Sequence, residues 1–194
     1  KDYDIMAKDK VIMCHDDIQV LTDADVFNTI IDKELTKNTG FLGIAGCREL
    51  NKTACWWHGL GREFPHPESF LRGSVLHGSS IDTATPTYYG GYGDVEVCDG
   101  VFLVTTGATL HNIHIEMPKG YVSKWDFYDV LYTYQAHLKG RKNKVVPISI
   151  LHDSIGEGAL SEEWDENRKA FIGRYGAQLA DIILPHQSQL PEQA

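Results

Sequence analysis

The stretch Val11-Ile12-Met13-Cys14-His15-Asp16-Asp17 decides how we interpret this chain. Four apolar residues lead directly to a histidine and two adjacent carboxylates, and a short apolar run of this kind is typical of a buried strand. In open α/β sheets, ligands bind outside the carboxyl ends of the strands. Asp16 and Asp17 would repel each other at such an end unless a cation lies between them. The alternative is that they only start a turn or cap a helix.

The composition predicts one domain with a sizeable core and argues against nucleic acid as a partner. The chain has 194 residues, 42% of them apolar, and its 27 acidic against 18 basic side chains give a net charge of −9. Binding of nucleic acid depends on clustered Lys and Arg. No apolar run approaches the roughly 18 residues that a membrane helix needs. We expect a single domain over 1–184, a polar tail over 185–194 and no membrane span.

The four cysteines are far apart and include no C-x-x-C pair, so a zinc site is not expected. They are Cys14, Cys47, Cys55 and Cys98. Free thiols indicate a reducing compartment, and we therefore expect a cytoplasmic protein.

Hydrophobic periodicity predicts alternating strands and helices in the first part of the chain. A strand over Lys10–His15 is followed by a helix through Val26–Leu35, with Thr22 or Asp23 as its N-cap and Asn38-Thr39-Gly40 as its end. A strand over Phe41–Ala45 comes next. This β-α-β order implies an α/β fold with a mostly parallel sheet.

Further elements are predicted in the second half. Strands over 95–98 and 101–105 are joined by Asp99-Gly100, either as a hairpin or as a bend in one strand. A short strand is expected over 109–116, where His111 and His114 are interpreted as surface or core residues. The other expected elements are helices over 124–139 and 162–179, and a strand over 145–151 that Pro147 interrupts.

The segment from about 47 to 93 has no steady period, but it is rich in aromatic residues. Long irregular segments of a domain often carry function. Trp56 and Trp57 could offer flat surfaces to a sugar ring, or they could fill the core beneath a loop.

Acidic residues and histidines recur at the ends of the predicted elements. Because the carboxyl ends of parallel strands share one edge of a sheet, Asp16, Asp17 and His152 are expected to meet there. Such a set suits Mn²⁺ or Mg²⁺ with positions left open for a diphosphate. Asp126 and Asp129 begin the 124–139 helix, where they could supply a general base or only complement the helix dipole.

The order of these motifs resembles the GT-A glycosyltransferases, in particular the glycosyltransferase family 2-like group of small bacterial and viral enzymes. The resemblance runs from about Lys10 to about Tyr175. It rests on the strand that ends in His15-Asp16-Asp17, Phe41-Leu42-Gly43-Ile44-Ala45-Gly46, Trp56-Trp57, Asp99-Gly100-Val101-Phe102-Leu103, Trp125-Asp126-Phe127-Tyr128-Asp129, Gly140 and His152-Asp153-Ser154-Ile155-Gly156.

The resemblance implies a role for each matching position. Asp16 and Asp17 match the family's metal-binding acids, with Asp17 as the direct ligand, and His152 completes the contacts to metal and diphosphate. Asp129 matches the catalytic base of inverting members, and Asp126 is the other candidate. The implied substrate contacts are His15, Trp56, Trp57, Asp99, Gly100 and Trp125.

The activity that the resemblance implies is metal-dependent transfer of a sugar from a nucleotide-diphosphate sugar, UDP by default, to a saccharide hydroxyl with inversion, as in polysaccharide biosynthesis. Two features depart from the family. Leu131 stands where members often carry a second acid. In addition, most of the first βαβ unit, which holds the nucleotide base in the family, is not found before Lys10.

Two other functions fit the same residues. A metal-dependent hydrolase of phosphate esters or nucleotide sugars would use the same acids and histidine, with water as the nucleophile. A non-catalytic carbohydrate-binding module would use the aromatic residues, with the acids as helix caps, and would bind sugar without metal or nucleotide.

Overall fold

The computed structural model describes residues 4–57, 70–154 and 161–181. These residues form eleven strands, four α-helices and a short 3-10 helix over Gly176–Gln178. The strands are β1 (Lys10–Cys14), β2 (Ile18–Val20), β3 (Thr39–Gly43), β4 (Ala45–Cys47), β5 (Leu71–His77), β6 (Thr85–Gly90), β7 (Gly93–Val95), β8 (Val97–Cys98), β9 (Phe102–Thr106), β10 (Lys142–Val145) and β11 (Ile150–His152). The helices are α1 (Ala24–Glu34), α2 (Gly107–Ile113), α3 (Tyr128–Leu138) and α4 (Glu162–Tyr175).

The strands build two sheets, and the fold is mixed α/β. Sheet A has the order β1-β9-β3-β10-β7, and sheet B has the order β2-β11-β5-β4-β8 with β6 paired to β5. Among the described strands, only the pairs β10–β3 and β11–β5 are parallel. The prediction of a mostly parallel sheet is therefore not confirmed. The physical reason is β9, which lies between β1 and β3 and runs antiparallel to both. The β-α-β order correctly predicted that β1 and β3 run in the same direction, but these two strands are not neighbours in the sheet.

The chain passes from one sheet to the other at six short connections. Three of them split segments that the sequence predicted as single strands: Ile44 separates β3 from β4, 146–149 separates β10 from β11, and Glu96 separates β7 from β8. Pro147 lies in the 146–149 connection, outside both strands, where its missing N–H removes no hydrogen bond between strands. The other three are 15–17 between β1 and β2, 91–92 between β6 and β7, and 99–101 between β8 and β9. Since β8 and β9 lie in different sheets, Asp99-Gly100 is not a hairpin turn, and it bends the chain from sheet B into sheet A rather than within one strand.

The helices follow the predictions in part. α1 begins after Asp23, whose side chain accepts from the amides of Asp25 and Val26, but it ends at Glu34, before the predicted stop at 38–40. The strand predicted over 109–116 is wrong. That segment forms α2 instead, because Thr106 caps it by accepting from the amide of Thr109.

Aromatic side chains of α3, of α4 and of the residue before α3 pack these two helices against each other. The rings of Phe127, Tyr134, Trp164, Phe171 and Tyr175 pack in edge-to-face and tilted contacts about 5 Å apart. Phe127 precedes α3 in a left-handed conformation, with φ of 63°. α3 therefore begins at Tyr128 rather than at the predicted Lys124, and only Asp129 of the two candidate acids lies in its first turn.

Part of the segment from about 47 to 93, which has no steady hydrophobic period, forms a β-hairpin of β5 and β6. Leu71, Gly73 and Val75 alternate as buried residues along β5, but the glycine and the polar residues between them hide this period in the sequence. Residues 58–69 and the predicted tail over 185–194 lie outside the described residues. No helix in the described parts of the chain is long and apolar enough to cross a membrane.

Candidate functional site

Three potential metal ligands converge at one point of the surface. The Nε2 atom of His152 lies 3.3 Å from Oδ1 of Asp17, and Nδ1 of His15 lies 3.3 Å from Nε2 of His152 and 3.9 Å from the same Asp17 oxygen. All three ligand atoms lie within 4.8 Å of one another. We call these three residues the His-Asp-His cluster. His15 and Asp17 are open to solvent, and His152 forms the less exposed floor.

Strand pairing brings the His-Asp-His cluster together. His15 directly follows β1 of sheet A, and Asp17 directly precedes β2 of sheet B. β2 pairs with β11 in an antiparallel register that sets His152 opposite Ile18. The amide of Asp153 also donates to the carbonyl of Asp17 at 2.9 Å. The start of one strand thus meets the end of its antiparallel neighbour, which is a different arrangement from the shared parallel edge that the sequence predicted.

The bend at 99–101 carries a second acid towards the cluster. The Asp99 carboxylate accepts from the indole N–H of Trp56 at 3.0 Å and from the amide of Val101 at 2.9 Å. The amide of His15 donates to the carbonyl of Val101, which ties the bend to the cluster. Burial raises the pKa of Asp99, while the hydrogen bonds from Val101 and Trp56 and the nearby imidazoles of His15 and His152 oppose this rise.

Asp129 lies on the other side of the same bend. One of its carboxylate oxygens accepts from the amide of Gly100 at 2.9 Å. Burial, followed by the charge of Asp99, raises the pKa of Asp129 to about 7. A carboxyl group with a pKa near neutrality is suited to take up and release a proton under ordinary conditions.

Gly100 is required where the bend meets α3. A Cβ atom at this position would lie 2.7 Å from the Tyr128 hydroxyl and 2.9 Å from the Cβ atom of Asp129. The Tyr128 hydroxyl in turn donates to the carbonyl of Gly100 at 2.7 Å. The close approach fixes the distance between the bend and the first turn of α3, and so fixes Asp129 beside Asp99.

Two of the three predicted tryptophan contacts, Trp56 and Trp57, have different surroundings. Trp56 is only 4% exposed, and its ring packs edge-to-face against Trp57 and Tyr89. It belongs to the core and also orients Asp99, so the core-filling interpretation applies to it. Trp57 is half-buried and packs against Trp164 of α4.

The remaining predicted residues lie apart from the cluster. Asp16 is exposed and is not among the clustered ligand atoms of the described residues. Asp126 precedes α3, and its carboxylate accepts from the Ser161 hydroxyl at 2.8 Å. Trp125 is 85% exposed on the loop before α3. His111 and His114 are exposed, as expected for surface residues.

Three residues near the site were not predicted from the sequence. His77 ends β5, and its ring centre lies 5.6 Å from that of His152. Burial and the neighbouring His152 lower its pKa. The Tyr89 ring packs edge-to-face against Trp56, and Asn167 of α4 binds the loop that carries Trp125. Of these three, only His77 carries a signal in the sequence, because a histidine at the end of a strand is the pattern that identified His152. It was missed because β5 was not predicted.

One protein family matches most of this chain. The sequence model of the Glycosyltransferase like family matches residues 4–175. No curated protein matches significantly. The family match covers most of the 194 residues and contains the His-Asp-His cluster, Asp99 and Asp129. The chain therefore belongs to the glycosyltransferase-like family, of the family 2 type that the order of its motifs resembles.

Proposed function

We propose that this protein transfers a sugar from a nucleotide-diphosphate sugar, with UDP as the first nucleotide to test, to a hydroxyl of a saccharide acceptor, with inversion and with a divalent cation. The observation that carries the proposal is the His-Asp-His cluster, joined through the Asp99 bend to Asp129. Cation ligands and a base of suitable pKa lie on the two sides of one bend, and this is the pair of functions that the reaction needs.

The donor set of the cluster fits a divalent transition metal. One carboxylate and two imidazoles, with 3.3–3.9 Å between their nearest ligand atoms, can converge on one ion. Mg²⁺ prefers oxygen ligands, whereas Mn²⁺ accepts both carboxylate and imidazole. Of the two cations expected from the sequence, the arrangement therefore favours Mn²⁺. When bound, the cation would neutralise the charge that develops on the leaving diphosphate.

Asp129 is the proposed general base. Its ionised carboxylate takes the proton of the acceptor hydroxyl while the hydroxyl oxygen bonds to the anomeric carbon. The bond between that carbon and the diphosphate oxygen breaks, and its electron pair leaves with the diphosphate. The amide of Gly100 holds one oxygen of Asp129, so the carboxylate is oriented before the acceptor arrives. Asp126 is less suited to this role because its carboxylate already accepts from Ser161.

Trp125 is the proposed contact for the acceptor. Its side chain is 85% exposed and lies on the loop that leads into α3, four residues before Asp129. An exposed aromatic face can stack on the apolar face of a sugar ring. Such a contact would hold the acceptor beside the base.

The experiment is a calorimetric titration of UDP into the protein with Mn²⁺ and then with EDTA, repeated on Asp17→Ala and, as a control, on His111→Ala. We expect binding that needs Mn²⁺, disappears in Asp17→Ala and persists in His111→Ala, because His111 is exposed on α2 away from the cluster. Equal binding of UDP in EDTA, or in Asp17→Ala, would contradict the proposed cation site.

Product analysis separates this proposal from its two alternatives. A transferase yields a lengthened acceptor, and a hydrolase yields free sugar at a rate that does not depend on the acceptor. A carbohydrate-binding module would bind saccharide equally well in EDTA and would leave the nucleotide sugar intact.

A further inference from the structure

His77 is held beside the His-Asp-His cluster by the backbone of sheet B. β5 and β11 are parallel, and their register pairs His77 with His152. The amide of Gly78 donates to the carbonyl of His152 at 2.9 Å, which continues the pairing beyond the end of β5. The two histidines are therefore fixed neighbours at the same end of the sheet.

The spacing of the rings around His152 is nearly symmetrical. The ring centres of His77 and His152 are 5.6 Å apart with planes at 53°, and those of His15 and His152 are 5.2 Å apart with planes at 63°. Because bonds from imidazole nitrogen to a metal are about 2.1 Å long, two imidazoles on one ion have ring centres about 4.5–6 Å apart. Both pairs fall in this range.

One nitrogen of His77 lacks a hydrogen-bond partner within the described parts of the chain. Its Nδ1 atom is buried and has no hydrogen bond from any described residue. A buried polar atom without a partner destabilises the fold, and in native proteins it commonly indicates a bound water, a bound ion or a functional role. A cation bound at the neighbouring cluster would provide a binding partner for the His77 imidazole.

Two carboxylates complete the surroundings. Asp17 is part of the cluster, and Asp99 interacts electrostatically with His77 as well as with His15 and His152. With Asp99 ionised, these two carboxylates would balance the charge of a divalent cation held by the imidazoles.

We propose that His77 is a fourth protein ligand of the cation site, which joins His15, Asp17 and His152 around one divalent ion. The inference rests on the proposed function, because it requires that a cation binds at the cluster. His77 does not fall within the 4.8 Å group of the other three ligand atoms, so its ring has to move towards the ion on binding. Three imidazoles and one carboxylate would favour Mn²⁺, Co²⁺ or Zn²⁺ over Mg²⁺.

The test measures binding of the metal itself to the full chain. Mn²⁺ affinity is determined by calorimetry, and the visible absorption of bound Co²⁺ reports its ligands. His77→Phe keeps an aromatic ring in place but removes both nitrogens, and His111→Phe makes the same change at an exposed histidine on α2. We expect His77→Phe to weaken Mn²⁺ binding by about 10–100-fold, to change the Co²⁺ spectrum and to reduce the preference for Mn²⁺ over Mg²⁺.

The outcomes separate the inference from the proposed function. If His77→Phe matches the wild type in Mn²⁺ affinity and in the Co²⁺ spectrum while Asp17→Ala loses both, His77 is not a ligand and the cation site stands. If the wild type binds neither ion, the proposed cation site fails as well. A weaker affinity with an unchanged Co²⁺ spectrum would also overturn the ligand role, since it would show that His77 only supports His152. His77→Asn provides the same measurements if the phenylalanine variant does not fold.

Discussion

Asp129 can accept a proton only when it is ionised, and its surroundings set the pH at which this happens. We expect Asp129→Asn to lower kcat for sugar transfer by about two to four orders of magnitude, because the amide cannot act as a base. The amide oxygen can still accept from the amide of Gly100, so the fold and Mn²⁺-dependent UDP binding should remain. Initial rates of transfer and a UDP titration measure the two effects. Full transfer by this variant would show that another group is the base.

Asp99 is expected to set the pH dependence of the reaction. Burial, followed by the negative charge of Asp99, disfavours ionisation of Asp129 and raises its pKa to about 7. A base works in its ionised form, so activity should rise with pH through about 7 in the wild type. Asp99→Asn removes the repulsion, lowers the pKa of Asp129 and should move this rise to lower pH by on the order of one unit.

The control for this prediction is Trp56→Phe. It removes the indole N–H that binds Asp99 but keeps the charge of Asp99. The pH dependence of kcat/KM is measured for both variants, and only its midpoint is compared. A midpoint that stays near the wild-type value in Asp99→Asn would show that Asp99 does not act on the base.

The loop before α3 depends on one buried side chain of α4. The side-chain N–H groups of Asn167 donate to the carbonyls of Ser123 and Asp126, and its side-chain oxygen accepts from the amide of Val122. Asn167 thereby holds the loop that presents Trp125. A single amide side chain thus couples the position of α4 to the proposed acceptor contact.

We expect Asn167→Ala to lower the free energy of unfolding by about 2–4 kcal/mol, because several backbone groups lose their partners. It should also raise KM for the acceptor more than it lowers kcat, since Asp129 lies in α3 and keeps its bond to Gly100. Denaturant unfolding and acceptor kinetics check both statements. Asn28→Ala, an exposed site on α1, should change stability by less than about 0.5 kcal/mol. Equal effects at both positions would contradict the role of Asn167.

At the scale of the molecule, the cluster joins the two sheets. His15 follows a strand of sheet A, whereas Asp17 and His152 belong to strands of sheet B. A bound cation would therefore hold the two sheets together, and it would stabilise the folded protein by about 2.7 kcal/mol at a concentration 100 times its Kd. For a protein of this size this corresponds to a rise in Tm of about 5–10 °C.

Thermal unfolding with Mn²⁺ and with EDTA measures this stabilisation. We expect the rise in Tm in the wild type and in His111→Ala, and none in Asp17→Ala. A rise of the same size in Asp17→Ala would place the bound Mn²⁺ outside the cluster.

Local patterns in the sequence were sufficient for many elements of the fold. The apolar run before His15 predicted β1, although none of its residues is buried as expected, and Asp23 predicted the N-cap of α1. The apolar periods of α3 and α4 also predicted two helices, although both are shorter than expected. These features depend on neighbours a few residues apart, and such neighbours are visible in the sequence.

Other features depend on pairing between distant segments. β5 was missed because its buried face includes a glycine, and α2 was mistaken for a strand because a threonine cap outweighed the local apolar pattern. No local pattern in the sequence shows that β9 lies between β1 and β3, or that the strands divide between two sheets. For the same reason, the link from Asp99 to Asp129 could not be found from the sequence, and His77 was missed together with β5.

The sequence by itself determined the residue types of the candidate site, the resemblance to glycosyltransferases and the expectation that Asp17 and His152 would meet. The tertiary structure decided how they meet, because an antiparallel register between β2 and β11 replaces the shared parallel edge. It also placed His15 in the cluster and left Asp16 outside it. The sequence shows which side chains are present. The distances between them and their pKa values depend on burial and on partners that only the folded chain brings together.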